Sequence, residues 1–230
     1  MAGTDRLQNT SHRDLIARLN RAREMDVHTL DREIIDRRIG LIMDGYHTVV
    51  IKAEMNGLYR ARKNVGDRPF EKTSELWYPP SAMVRSRGRF NEPGASVFYA
   101  SNRSTTAIHE VRADFDDVVT LLVIRTKAPS VQLDCAHIGL ERSLAPEIGA
   151  PQKERMLRNN PRFQAILKHY QISNKWLAID EFLSEMATTL FPLDQEQDKY
   201  KITMPSRGYF SRSRACKRSI IQVWLRGWLA

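Results

Sequence analysis

Arg85 to Arg112, RSRGRFNEPGASVFYASNRSTTAIHEVR, decides how this chain is read. Gly88-Arg89-Phe90-Asn91 runs into Glu92-Pro93-Gly94, a turn signal in which proline holds φ and glycine supplies a positive one. Val97-Phe98-Tyr99-Ala100 then predicts a short strand, apolar on both faces and therefore buried. Ser104 is a good N-cap for a helix whose apolar stripe is Ala107, Ile108 and Val111, with Glu110 off that stripe. A turn, a strand and a capped helix would bring Arg89, Tyr99 and Glu110 within reach of one another. Cationic donors, an aromatic ring and one carboxylate suit an anionic ligand with a flat ring and a bond that breaks through a cationic transition state. The competing reading of the same residues is a solvated turn, a core tyrosine and a surface glutamate.

The same segments carry a resemblance. Leu58-Tyr59-Arg60-Ala61-Arg62, Gly88-Arg89-Phe90-Asn91, Tyr99-Ala100-Ser101 and Ala107-Ile108-His109-Glu110 stand in the order and approximate spacing of the RES family, over about residues 57 to 203. The resemblance implies an α+β, ADP-ribosyltransferase-like RES domain that takes NAD as substrate and cleaves its nicotinamide–ribose bond, with water or inorganic phosphate as acceptor and no other cofactor. It implies Glu110 and Tyr99 as catalytic residues, and Arg60, Arg89, Tyr59 and Asn91 as NAD-binding residues. Arg62 is the fallback for Arg60, because two positions along a strand keep one face. Many members are toxins restrained by a helix-turn-helix, Xre-like antitoxin, so such a partner is an expectation here. The rival is a RES-fold protein that binds without turnover.

Around this centre, 230 residues at 42% hydrophobic can bury one substantial core. The expected organisation is an N-terminal helical extension over 1–45, the RES domain over 46–203 and an atypical basic tail over 204–230. Ser11 should cap a helix bearing Leu15, Ile16 and Leu19, and Thr29 a second bearing Ile34, Ile35, Ile39 and Ile42. Strands are expected at 48–51 and 58–60, and an irregular loop over 68–80 that ends in Trp77-Tyr78-Pro79-Pro80 and could close over a ligand. The continuous apolar run from Val118 to Ile124 is the best candidate for a buried core strand, followed by one from Val131 to Asp134. Asn160-Pro161 should open a helix bearing Phe163, Ile166, Leu167 and Tyr170, and Trp176 to Met186 form another. Asp180 and Glu181 are adjacent and so do not share a face, which argues against paired-carboxylate chemistry.

Two cysteines without C-x-x-C spacing, six scattered histidines and no apolar run near the length of a membrane span point to a cytoplasmic chain without a metal site. The net charge of +9 is concentrated in the tail, whose Arg207, Arg212, Arg214, Lys217, Arg218 and Arg226 have no acidic counterpart. The remainder holds 30 basic against 27 acidic residues, too near neutral for a nucleic-acid module. From Met204 the tail also loses periodicity and holds two of the four tryptophans. With suitably chosen codons, a one-base shift turns it into an amphipathic, acid-containing stretch ending Tyr-Pro-Ser-Val, similar to the segment that brings the RES serine. The expectation is therefore an out-of-frame tail and impaired activity. Ser206 comes too soon after the preceding helix to be assigned as that serine.

Overall fold

The computed structural model describes residues 9–54, 57–66, 68–88, 90–125, 132–144, 150–188 and 201. The tail, including Ser206, and the side chain of Arg89 lie outside the described residues, as does Val131 of the expected strand. The fold is α+β, with helices around two small antiparallel sheets.

Helix α1, His12–Arg23, starts where expected: the Ser11 hydroxyl accepts from the Asp14 amide at 3.0 Å. It buries Leu15, Leu19 and Ala22, one stripe at helical spacing. Helix α2, Arg32–Met43, buries Ile35, Ile39, Ile42 and Met43, while Ile34 is left 37% exposed. Its N-cap is Asp31 and not Thr29, whose hydroxyl instead bonds the Asp26 carboxylate at 3.1 Å. A short hydroxyl side chain bonds the nearest acceptor, and here that acceptor lies upstream of the helix.

Strand β1, Val49–Glu54, pairs antiparallel with β4, Gln132–His137, from Val49 opposite His137 to Glu54 opposite Gln132. Strand β2, Leu58–Lys63, pairs antiparallel with β3, Val119–Ile124, from Leu58 opposite Ile124 to Lys63 opposite Val119. The apolar run expected to be a buried central strand is thus half of a two-stranded sheet. It is only half-buried, with Val123 42% exposed, because a continuous apolar run does not say how many faces will be covered. The loop after β2 holds a one-turn helix, α3, Thr73–Leu76, and a 3-10 turn, Ser81–Met83, and beyond the site segment lies α4, Ser104–Glu110. Between them, 95–100 forms no regular strand. Val97, Phe98 and Ala100 are buried as expected, but backbone pairing is limited to Ser101 and Tyr59, which exchange bonds of 2.7 and 2.8 Å.

After β4 the described residues form four further helices: α5 Leu140–Leu144, α6 Ala150–Arg158, α7 Pro161–His169 and α8 Asn174–Thr188. Asn160 caps α7 by accepting from the Phe163 amide at 3.1 Å, with Pro161 in the first turn, where its missing N–H costs nothing. Helix α8 supplies Trp176, Ile179, Phe182, Leu183 and Met186 to a core completed by α1, α2, Tyr46 and Val49. The N-terminal helices therefore share one core with α8. Trp176 stacks on Tyr46 at 4.9 Å between centroids, and its indole N–H donates to the His47 carbonyl at 2.9 Å.

One polar group sits inside that core. Asp180, 1% exposed, accepts from the Tyr46 hydroxyl at 2.9 Å and from the Gly139 and Leu140 amides at 3.0 and 2.6 Å. It caps the start of α5 from a distant helix. Burial raises its pKa to about 6 despite these bonds, and also drives the Tyr46 phenol well above its ordinary value.

Candidate functional site

The site is built on β2. Strand alternation places Leu58, Arg60 and Arg62 on one face and Tyr59, Ala61 and Lys63 on the other. A second, smaller apolar cluster of Leu58, Phe98 and Ala100, with Tyr78, Leu122 and Ile124 against it, lies on the Arg60 face. The Arg60 guanidinium carbon stands 4.8 Å from the Phe98 ring centroid, and Nη1 donates to the Tyr99 carbonyl at 3.3 Å. Its Nε is buried with no hydrogen-bond partner among the described residues. Burial, reinforced by the charge of Arg62 and opposed by Tyr78 and Tyr99, lowers the Arg60 pKa to about 10, which leaves it a cation at neutral pH.

Arg62 occupies the same face but is engaged. It donates to the Glu75 carbonyl and lies over the Phe70 ring at 5.3 Å, tying the 68–80 loop to the sheet. The Phe70 amide adds a bond of 3.2 Å to Thr120 on β3. Of the two arginines, Arg60 holds the buried donor that nothing satisfies. Tyr59 faces the other way, opposite Val123, so the strand does not bring its ring together with Arg60.

Asn91 and Tyr99 are spent on the turn. The Tyr99 hydroxyl accepts from the Phe90 amide at 3.0 Å and donates to Asn91 Oδ1 at 2.8 Å. Asn91, 6% exposed, reaches the Ser86 and Glu92 carbonyls at 3.4 Å, and its own carbonyl accepts from the Gly88 amide at 3.0 Å. The absence of a side chain at Gly88 makes room for this network: a Cβ there would stand 2.3 Å from Asn91 Oδ1 and 3.1 Å from the Tyr99 hydroxyl. The turn is also tethered to α2, because Glu92 pairs with both Arg87 and Arg32 at 2.8 Å.

Helix α4 packs against β2 and β3 and ends on Glu110. Its orientation differs from the one expected. Ala107 is buried and Glu110, three residues on and so on the same face, is half-buried, whereas Ile108 is 38% exposed. Glu110 thus belongs to the inward side, and the small Ala107 lets the helix approach the sheet. The expected Ser104 cap is absent: the cap position is Arg103, with no side-chain bond, and Ser101 Oγ accepts from the Arg103 amide at 3.1 Å.

Sequence reasoning missed the aromatic frame around Arg60. Trp77 lies 4.9 Å from Phe98 and 5.9 Å from Tyr78, and Tyr78 5.3 Å from Phe98, each between ring centroids. The signal was the Trp-Tyr-Pro-Pro run, but only the fold says that it meets Phe98. Among the described residues there is no group of histidine, cysteine or acidic side chains able to hold a metal ion, and no helix long and apolar enough to cross a membrane.

The RES domain family model matches residues 58–176. This chain belongs to the RES domain family. Comparison with curated proteins and with solved structures finds no match. The RES match opens at the first residue of β2 and takes in Arg60, the Gly88–Asn91 turn, Tyr99 and Glu110. It closes at Trp176, early in α8, and omits α1, α2 and β1, although β1 pairs with β4 inside the RES segment. Much of the core on which this RES domain rests is therefore contributed by residues outside the family match.

Proposed function

We propose that this RES domain binds NAD and cleaves its nicotinamide–ribose bond. The observation that carries the reading is Arg60, a cation in an aromatic frame whose Nε is buried and unpartnered. A buried donor without a partner costs free energy, on the order of 1–3 kcal/mol, and a phosphate oxygen would recover it through a charge-assisted bond. Arg60, with Arg89, takes the pyrophosphate. Tyr99 and Asn91 act through the turn they hold, and Tyr59 contributes from the opposite face of β2 through its backbone pairing with Ser101.

In the reaction the C1–N bond breaks with its electron pair going to the pyridinium nitrogen, and neutral nicotinamide leaves. Positive charge develops on the ribose ring, and the Glu110 carboxylate stabilises it or orients a hydroxyl. Water captures C1 and gives ADP-ribose with loss of a proton, or inorganic phosphate captures it and gives the 1-phosphate. No further cofactor is required. A helix-turn-helix antitoxin is the partner that this reading carries with it, and the absence of a family serine from the tail would lower turnover in the chain as it stands.

The test is nicotinamide release from NAD, with and without phosphate, by this chain and by a version whose reading frame is restored after codon 204. The restored form is expected to turn NAD over, and the chain as it stands far less. Arg60→Ala should weaken NAD binding by roughly ten-fold or more, and Glu110→Ala should lower turnover while leaving affinity nearly unchanged. NAD left intact by the restored form would end the enzymatic reading. Binding without release would leave a ligand-binding RES domain.

A further inference from the structure

We propose that Trp77 is the stacking platform for the flat ring of a phosphate-bearing ligand whose anion rests on Arg60. This rests on the reading of Arg60 as an anion-binding group. Single exposed apolar side chains are ordinary on protein surfaces and need no explanation. Phe115 is such a case: it is fully exposed and makes no ring contact among the described residues. Trp77 differs in how it is held.

It remains 42% exposed although the chain is anchored on both sides of it. Before it, Leu76 is buried and the Glu75 carbonyl accepts from Arg62. After it, the Pro79 carbonyl accepts from Ser96 Oγ at 2.6 Å. The indole also packs on Phe98 at 4.9 Å, the ring over which the Arg60 guanidinium lies at 4.8 Å. An exposed ring and a cation with an unsatisfied donor are therefore both packed against one buried ring, Phe98. An indole already fixed in place loses little conformational freedom when a ring stacks on it, which is what a stacking site requires. The ligand class that follows is a planar heteroaromatic ring one sugar away from a phosphate, and the arrangement does not distinguish one base from another.

The experiment measures binding of AMP, which has a ring and a phosphate, and of inorganic pyrophosphate, which has only the anion, by calorimetry. Trp77→Ala should weaken AMP roughly 5- to 100-fold and leave pyrophosphate unchanged. Trp77→Phe should keep most of the AMP affinity, and Arg60→Ala should weaken both probes. Trp77→Leu retains apolar bulk against Phe98 without a π face and should behave like alanine, which separates stacking from support of the fold. Equal AMP affinity in the wild type and the leucine variant, or a parallel loss of pyrophosphate, would overturn the proposal, as would a wild type that binds neither probe. Trp77-dependent AMP binding in a protein that never cleaves NAD would uphold this site and remove the enzymatic reading. NAD cleavage with unchanged KM in Trp77→Leu would do the reverse.

Discussion

Gly88→Ala tests whether the turn is built as described. The new Cβ would sit 2.3 Å from Asn91 Oδ1 and 3.2 Å from Asn91 Cγ, so the amide must leave its place. With it go the 2.8 Å bond from the Tyr99 hydroxyl and the two 3.4 Å bonds to the Ser86 and Glu92 carbonyls. Losing one good buried bond and stranding its partner costs about 2–3 kcal/mol, a fall of roughly 4–12 °C in Tm for a chain of this size. Gly88 is not among the glycines with positive φ, so alanine strains no backbone there. If Asn91 is first truncated, the 2.3 Å clash disappears and only the Tyr99 hydroxyl at 3.1 Å has to give, so Gly88→Ala in Asn91→Ala should cost less than about 1 kcal/mol. Thermal and urea denaturation of the four proteins of this cycle measures the coupling. A Gly88→Ala cost that is the same in both backgrounds, or absent in the wild type, would refute the reasoning.

Leu19→Ala, in a helix outside the family match but inside the shared core, should cost about 2–5 kcal/mol in urea denaturation; a loss under 1 kcal/mol would mean that α1 does not belong to that core. Glu92→Gln severs both the Arg32 and Arg87 pairs, yet these groups are partly exposed, so the stability change should stay below about 1 kcal/mol. Buried Asp180 and half-buried His137 give opposing pH dependences, read by urea denaturation between pH 4 and 7. His137, depressed from 6.5 to about 4 by burial and then by the charge of Arg162, binds its proton less tightly folded than unfolded; its contribution is complete above pH 6.5 and is lost as pH falls to about 4. Asp180, raised from 3.8 to about 6, binds its proton more tightly folded, so its contribution is complete below 3.8 and is lost as pH rises to about 6. Each is on the order of 3 kcal/mol and they oppose each other, so the wild type should vary little across this window, Asp180→Asn should gain stability as pH rises, and a flat profile for that variant would count against the assignment.

Much of this protein was legible in one dimension because its causes are local. Ser11 and Asn160-Pro161 announce helix starts by chemistry that acts within one turn, and the apolar stripes of α1, α2 and α8 follow from helical period. The ordered motifs from Leu58 to Glu110 were enough to place the chain in its family. What depended on distant partners was not legible. Adjacent to Glu181 and off its face, Asp180 gives no sign along the sequence that it closes the start of α5 some 40 residues upstream. The sequence places Glu110 off the buried stripe, whereas α4 is rotated so that Ile108 faces outward, because a seven-residue helix has too few positions to define its own buried face. Arg60 and Arg62 are indistinguishable along the strand, with the same charge and the same face. Only the packing of Phe70 and Glu75 around one, and of Phe98 around the other, occupies Arg62 and leaves Arg60 with a buried donor to offer, since burial and hydrogen-bond satisfaction depend on everything the chain brings near and not on the residue itself.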